Sequence, residues 1–233
     1  MSLKNAWNAC CNTNKGMGTK TMALKKCVFV LATQDYEPEM CSYTIPNLKA
    51  YADKIKADFC IIEERRFPDY PINYERMQIH QLGKGYDWCI NIDADFLIHP
   101  NIEDFTDWFP ATNVGNWWYY KASSFLNVAD NPYFKRDGRD YGLVDCFMAS
   151  SCLTHDVWEP LPGPFSDYPN ICKNDAIRRI SEFCVSQNAA KYGLKISGML
   201  RKFEYVYHME RTTGEKVNLA ETAVNKLKEW GLL

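Results

Sequence analysis

From about residue 26 the chain alternates short, continuous apolar runs with amphipathic stretches. In Lys26-Cys-Val-Phe-Val-Leu-Ala32 the run from Cys27 to Ala32 is apolar without interruption and too short to be a helix, so the segment predicts a buried strand. A polar loop, Thr33-Gln-Asp-Tyr36, follows it. Residues 38–56 suit a helix that Pro46 must start or kink. Asp58-Phe-Cys-Ile-Ile62 predicts a second strand. From Tyr74 to Leu82 the apolar positions Met77, Ile79 and Leu82 have helical spacing, closed by Gly83 and Gly85. Trp88-Cys-Ile-Asn-Ile92 predicts a third strand, which runs directly into Asp93-Ala94-Asp95.

Further on, Asn116-Trp-Trp-Tyr-Tyr120 and Tyr141-Gly-Leu-Val-Asp-Cys-Phe-Met148 read as strands, and about 174–187 as a helix. Lys202–His208 reads as a last strand ending in a histidine. From Asn218 an amphipathic helix carries Ala220, Val224, Leu227 and Trp230 on one stripe, expected to pack back on the domain. Residues 1–24 have no such pattern and contain no acid, and read as an N-terminal extension to a single domain over 25–233. Strands separated by helices imply parallel βαβ units, hence an α/β fold with a mostly parallel sheet flanked by helices. In such sheets ligands sit beyond the carboxyl ends of the strands. The loop after strand one and the acids after strand three should therefore share one crevice.

Composition narrows the possibilities. With 233 residues, 46% hydrophobic and 24% charged, the chain is long and apolar enough for a sizeable core. A net charge of -2 argues against a dedicated nucleic-acid binder. No apolar run approaches the roughly 18 residues of a membrane span, and the N-terminus does not read as a signal peptide. The ten cysteines include no Cys-x-x-Cys pair, and several lie in strand-like runs. Free thiols in a reducing, cytoplasmic setting are therefore expected, rather than a disulfide framework or a zinc site.

Asp93 and Asp95 alternate along an extended chain, so both carboxylates can point the same way. Two converging carboxylates repel unless one is protonated or a cation lies between them. All-oxygen ligation favours a hard divalent ion, Mg²⁺ or Mn²⁺, that leaves positions for substrate phosphates.

The stretch Tyr86-Asp-Trp-Cys-Ile-Asn-Ile-Asp-Ala-Asp-Phe-Leu-Ile-His-Pro100 resembles the DxD segment of GT-A-fold glycosyltransferases, and Tyr74-Glu-Arg76 resembles the Tyr-x-Arg that precedes it in family-8-like enzymes. This resemblance implies a metal-dependent enzyme moving a sugar from a nucleotide diphosphate, a UDP-sugar by preference, to a glycan or other hydroxyl acceptor. It implies metal ligands at Asp93, Asp95 and His208, with Asp93 also counted among the donor contacts. It places Arg76 at the donor and the base and ribose against Thr33, Gln34 and Tyr36. Asp145 or Asp175 would face the reacting sugar. Lys216 would reach the diphosphate, although the compact His-x-x-Gly-x-x-Lys-Pro-Trp form is not present after His208. The same features favour retention of anomeric configuration; an inverting enzyme would need a carboxylate base, and Asp175 is the candidate. Trp117 to Tyr120 offer a sugar-stacking platform, with alternate side chains expected in the core.

Two alternatives remain open at this level. A sugar nucleotidyltransferase would have a similar sheet but a Gly-rich loop after strand one, which Ala32-Thr-Gln-Asp-Tyr36 does not provide. A catalytically inactive nucleotide- or carbohydrate-binding module would keep the same residues.

Overall fold

The computed structural model describes residues 23–33, 36–117, 119–124, 126–168, 171, 179–198, 205–209 and 218–233. Strand β1 (Lys26–Leu31) leads into helix α1 (Pro38–Lys54), then β2 (Asp58–Ile62). A 3-10 turn, Ile72–Gln78, runs into the short α2 (Ile79–Leu82), followed by β3 (Trp88–Ile92) and β4 (Phe96–Ile98). Next come β5 (Asn113–Asn116), β6 (Tyr119–Tyr120), α3 (Pro132–Asp137), β7 (Gly142–Leu143) and β8 (Phe147–Ser151). Helix α4 (Ile180–Lys191), β9 (Lys195–Gly198), β10 (Val206–His208) and α5 (Leu219–Glu229) complete the chain.

The main sheet has six strands in the order β2-β1-β3-β8-β5-β9, all parallel except β8, which runs against both its neighbours. The expected α/β architecture with a mostly parallel sheet is present. The first strands are apolar without alternation because both faces are covered. Cys27 and Phe29 face a layer containing Tyr74, Trp158 and Phe183, while Val28 and Val30 face a layer containing Leu48, Tyr51 and Phe105. β4 and β10 form a separate antiparallel pair, as do β6 and β7.

Several elements differ from the sequence reading. Pro46 lies inside α1, on its exposed side, and the helix continues through it. The 74–82 segment is mostly a 3-10 turn, because the buried Glu75 carboxylate draws the preceding loop onto it. Glu75 accepts hydrogen bonds from Arg65 Nε at 2.9 Å and from the Arg66 and Phe67 backbone N–H groups at 2.8 and 3.0 Å. The aromatic run begins where β5 ends, and the 141–148 stretch is broken by a turn at Asp145 and Cys146. Helix α5 does pack back: Leu219, Ala223 and Leu227 meet Met40, Leu97 and Met209. Among the described residues, no helix is long and apolar enough to cross a membrane.

Candidate active site

The carboxyl end of β3 is tied to the turn that opens β8. Asn91, fully buried, donates through Nδ2 to the Asp145 carbonyl at 2.7 Å, and the Asp93 N–H donates to the Cys146 carbonyl at 2.8 Å. Asn116 at the end of β5 holds the same turn, donating to the Val144 carbonyl at 2.8 Å. These bonds bring Asp93 and Asp145, distant in sequence, to either side of Arg76 from the 3-10 turn. The guanidinium donates through Nη1 to Asp145 Oδ1 and through Nη2 to Asp93 Oδ2, the latter at 3.1 Å. Arg76 is 4% exposed and Asp145 3%.

Burial and charge compete throughout this cluster. Burial alone would pull Arg76 down, but Asp145 and Asp93 outweigh it and hold the guanidinium above its usual range. Burial raises Asp145, with Arg76 opposing and Asp93 adding to the rise. Asp93 is pushed from 3.8 up to about 6 by burial, Arg76 and His208 resisting and the charge of Asp95 reinforcing it. A further carboxylate, Glu182 of α4, is raised by burial and by Asp145. Its Oε2 accepts from Tyr120 at 2.8 Å and from Arg179 at 2.7 Å. No sequence signal marks Glu182, because its partners lie on other elements or one helical turn earlier.

Asp95 meets His208 across the β4–β10 ladder. His208 pairs with Phe96 in register, and the Met209 N–H donates to the Asp95 carbonyl at 2.9 Å. The imidazole Nε2 then lies 3.6 Å from Asp95 Oδ2. Asp93 Oδ1 and Asp95 Oδ1 are buried and accept no hydrogen bond from the described residues. Two carboxylate oxygens lacking donors and a facing imidazole are a donor set that fits a divalent cation such as Mn²⁺. Asp93, however, faces Arg76, and among the described residues no three acidic, histidine or cysteine side chains converge as a cation cage.

Beside this cluster is a cavity of about 150 Å³ lined by Leu31, Thr33, Tyr36, Ile72, Asn73 and Arg76, with Asp93 and Ala94 at its floor. Thr33 is buried; Tyr36 and Ile72 are 39% and 47% exposed at its mouth. The crevice expected between the loop after strand one and the acids after strand three is therefore formed. Ile72 and Asn73 were not singled out by the sequence. Asn73 precedes Arg76 by three residues, the repeat of a 3-10 turn, which puts both on one face. Its Nδ2 donates to Ser181 Oγ at 3.1 Å.

Gln34, Asp175 and Lys216 lie outside the described residues, as does Trp118. Trp117 is no stacking platform: it is 7% exposed and stacks on Phe147, with ring centroids 5.5 Å apart. Tyr120 is turned inward to Glu182.

No family model matches the chain, and no curated protein matches it. Among solved structures it is similar to a glycosyltransferase involved in glycosylation of the major capsid of PBCV-1, at 11% identity and a TM-score of 0.47 over 89% of this chain and 100% of that one. The galactosyltransferase LgtC, solved with donor and acceptor sugar analogues, gives 10% identity and 0.47 over 89% and 96%. A Drosophila β-1,4-galactosyltransferase 7 mutant, solved with manganese, UDP-Gal and xylobiose, gives 13% identity and 0.43 over 86% and 79%.

Proposed function

We propose that the chain is a metal-dependent glycosyltransferase that moves a sugar from a nucleotide diphosphate, preferably a UDP-sugar, to a hydroxyl of a glycan acceptor with retention of configuration. The observation that carries this reading is the meeting of Arg76, Asp93, Asp95 and His208 at the carboxyl ends of β1 and β3, beside a cavity walled by the loop after β1. The Asp-x-Asp segment and the Tyr-x-Arg before it are the residues through which the sequence resembles such enzymes.

In this reading Asp95 and His208 hold a divalent cation, Mn²⁺ or Mg²⁺, with Asp93 as its third protein ligand. When bound, that cation supplies Lewis-acid neutralisation of charge on the leaving diphosphate. Thr33, Gln34 and Tyr36 receive the base and ribose, Tyr36 from the cavity mouth. Arg76, fixed by Asp145, presents its guanidinium to the donor through charge-assisted hydrogen bonds. Asp145 and Asp175 face the transferring sugar, and Lys216 approaches the diphosphate. Burial keeps Arg76 and Asp145 in a low-dielectric site, where each charge is worth more than in water.

Incubation with Mn²⁺ and a panel of nucleotide sugars, following nucleotide release, tests the proposal. Release of UDP or GDP with a glycosylated acceptor is the expected result. Release of pyrophosphate would instead identify a nucleotidyltransferase, and binding without turnover an inactive module.

A further inference from the structure

The cation corner and the guanidinium compete for one carboxylate. Arg76 Nη2 lies 3.1 Å from both oxygens of Asp93, while Asp93 Oδ1 accepts no hydrogen bond from the described residues. Near Asp93, Asp95 Oδ2 and His208 Nε2 lie 3.6 Å apart, and among the described residues no third acidic, histidine or cysteine side chain joins them as a cation cage. The Asp93 carboxylate would supply that third ligand. Among the described residues of this cluster, Asp93, Asp95, Asp145 and Glu182 stand against Arg76, Arg179 and a histidine that must be neutral to bind metal. A further cation would balance these described carboxylates better than Arg76 and Arg179 do.

We propose that Asp93 is a shared latch: Arg76 holds it in the ligand-free state, and a divalent cation at Asp95 and His208 takes it over, releasing Arg76 Nη2 for an anionic group of the donor. The inference rests on the donor-binding reading above and adds an order to it. Arg76 keeps its second anchor, Nη1 to the buried Asp145, so the freed guanidinium does not swing away. It turns one hydrogen-bonding edge from protein to substrate. Cation and diphosphate then favour each other through the protein as well as by direct contact, and the coupling is reciprocal by linkage.

This arrangement predicts an effect that a plain metal ligand does not give. Asp93→Asn removes the charge that holds Arg76 while keeping the shape, so UDP binding without metal should become tighter, by at least about fivefold, the lower end of ordinary coupling between sites. Arg76→Lys keeps a positive charge but cannot span two carboxylates, so Mn²⁺ alone should bind it tighter by a similar factor. Both are read by isothermal titration, and melting curves establish that each variant is folded. Equal or weaker metal-free UDP binding by Asp93→Asn would overturn the latch, as would equal or weaker Mn²⁺ binding by Arg76→Lys; if the lysine variant does not fold, the isosteric Asp93→Asn decides alone. If both affinities move as expected but no nucleotide sugar is turned over, the latch stands and the transferase reading falls.

Discussion

His208 lies flat on Phe96, with ring centroids 4.3 Å apart and planes 11° from parallel, and this stacking fixes the edge that faces Asp95. The β4–β10 ladder sets the height of the ring and Phe96 its plane, so little conformational freedom is left to lose on binding a cation. His208→Ala should weaken Mn²⁺ affinity by about 10- to 100-fold, taking losses at supporting residues as a floor. His99 is the control: its Nδ1 accepts from the Asn101 N–H at 3.1 Å and its ring packs edge-on against Trp230, away from the acidic pair. His99→Ala should leave Mn²⁺ affinity unchanged. Titration calorimetry giving one affinity for wild type and His208→Ala would remove the histidine from the site.

Asp95→Ala should fold but lose its response to ligand. The side chain is partly exposed in the turn after β3, with His208 Nε2 3.6 Å from its Oδ2, so truncation takes away a polar group rather than core packing. Wild type should melt at a higher temperature with Mn²⁺ plus UDP, since a ligand that binds only the native state stabilises it. A full shift retained by Asp95→Ala would contradict the metal assignment.

The parts of the site legible in sequence are those built from contiguous chain. Trp88–Ile92 is apolar except for Asn91 and runs into acids, so β3 and its terminal carboxylates could be placed without a structure. The partners of Arg76 could not: Asp145 reaches it only because Asn91 and Asn116 fasten the turn before β8, and a hydrogen bond between residues 54 positions apart leaves no local pattern. Strands β5 and β9 were missed for a different reason. Asn113-Val-Gly-Asn and Lys195-Ile-Ser-Gly carry too few apolar residues to stand out, and their pairing supplies what propensity does not.

Gly115 in β5 should tolerate no side chain. A Cβ there would lie 2.1 Å from Phe109 Cζ, and that ring is held edge-on against Trp88 at 5.5 Å, so it has little room to retreat. Gly115→Ala should lower stability by about 1–3 kcal/mol, the range for overpacking a close-packed interior. Urea unfolding is the measurement, and a loss smaller than about 0.5 kcal/mol, the range of ordinary surface changes, would show that Phe109 yields.

The cysteines should contribute as packing, not as cross-links. Cys27, Cys41, Cys60, Cys89, Cys146 and Cys184 are free thiols, and burial pushes Cys27 and Cys184 up to about 12, where almost no thiolate forms near neutrality. Alkylation of the native protein should leave Cys27 and Cys184 unmodified until it unfolds, and reducing agent should not change the melting temperature. Rapid labelling of Cys27 in the folded protein would contradict its place in the core.

Asp93 should give the fold a pH dependence of unusual sign for an aspartate. A carboxylate whose charged partner dominates is depressed and stabilises the fold as pH rises; Asp93 is instead raised from 3.8 to about 6, because burial and Asp95 outweigh Arg76 and His208. The folded state therefore holds this proton more tightly than the unfolded chain does. Its contribution is fully present below about pH 3.8 and is lost as pH rises through about 6. Asp93→Asn cannot titrate, so the melting temperature of the variant relative to wild type should climb across that window and then level off. Comparing the two proteins at each pH cancels every other titrating group that the substitution leaves alone. Added Mn²⁺ should reverse the difference in wild type above pH 6, since a cation needs the ionised carboxylate that burial disfavours. A variant-to-wild-type difference that falls between pH 4 and 6 would mean that Arg76 dominates Asp93 after all, and that the carboxylate is ionised throughout.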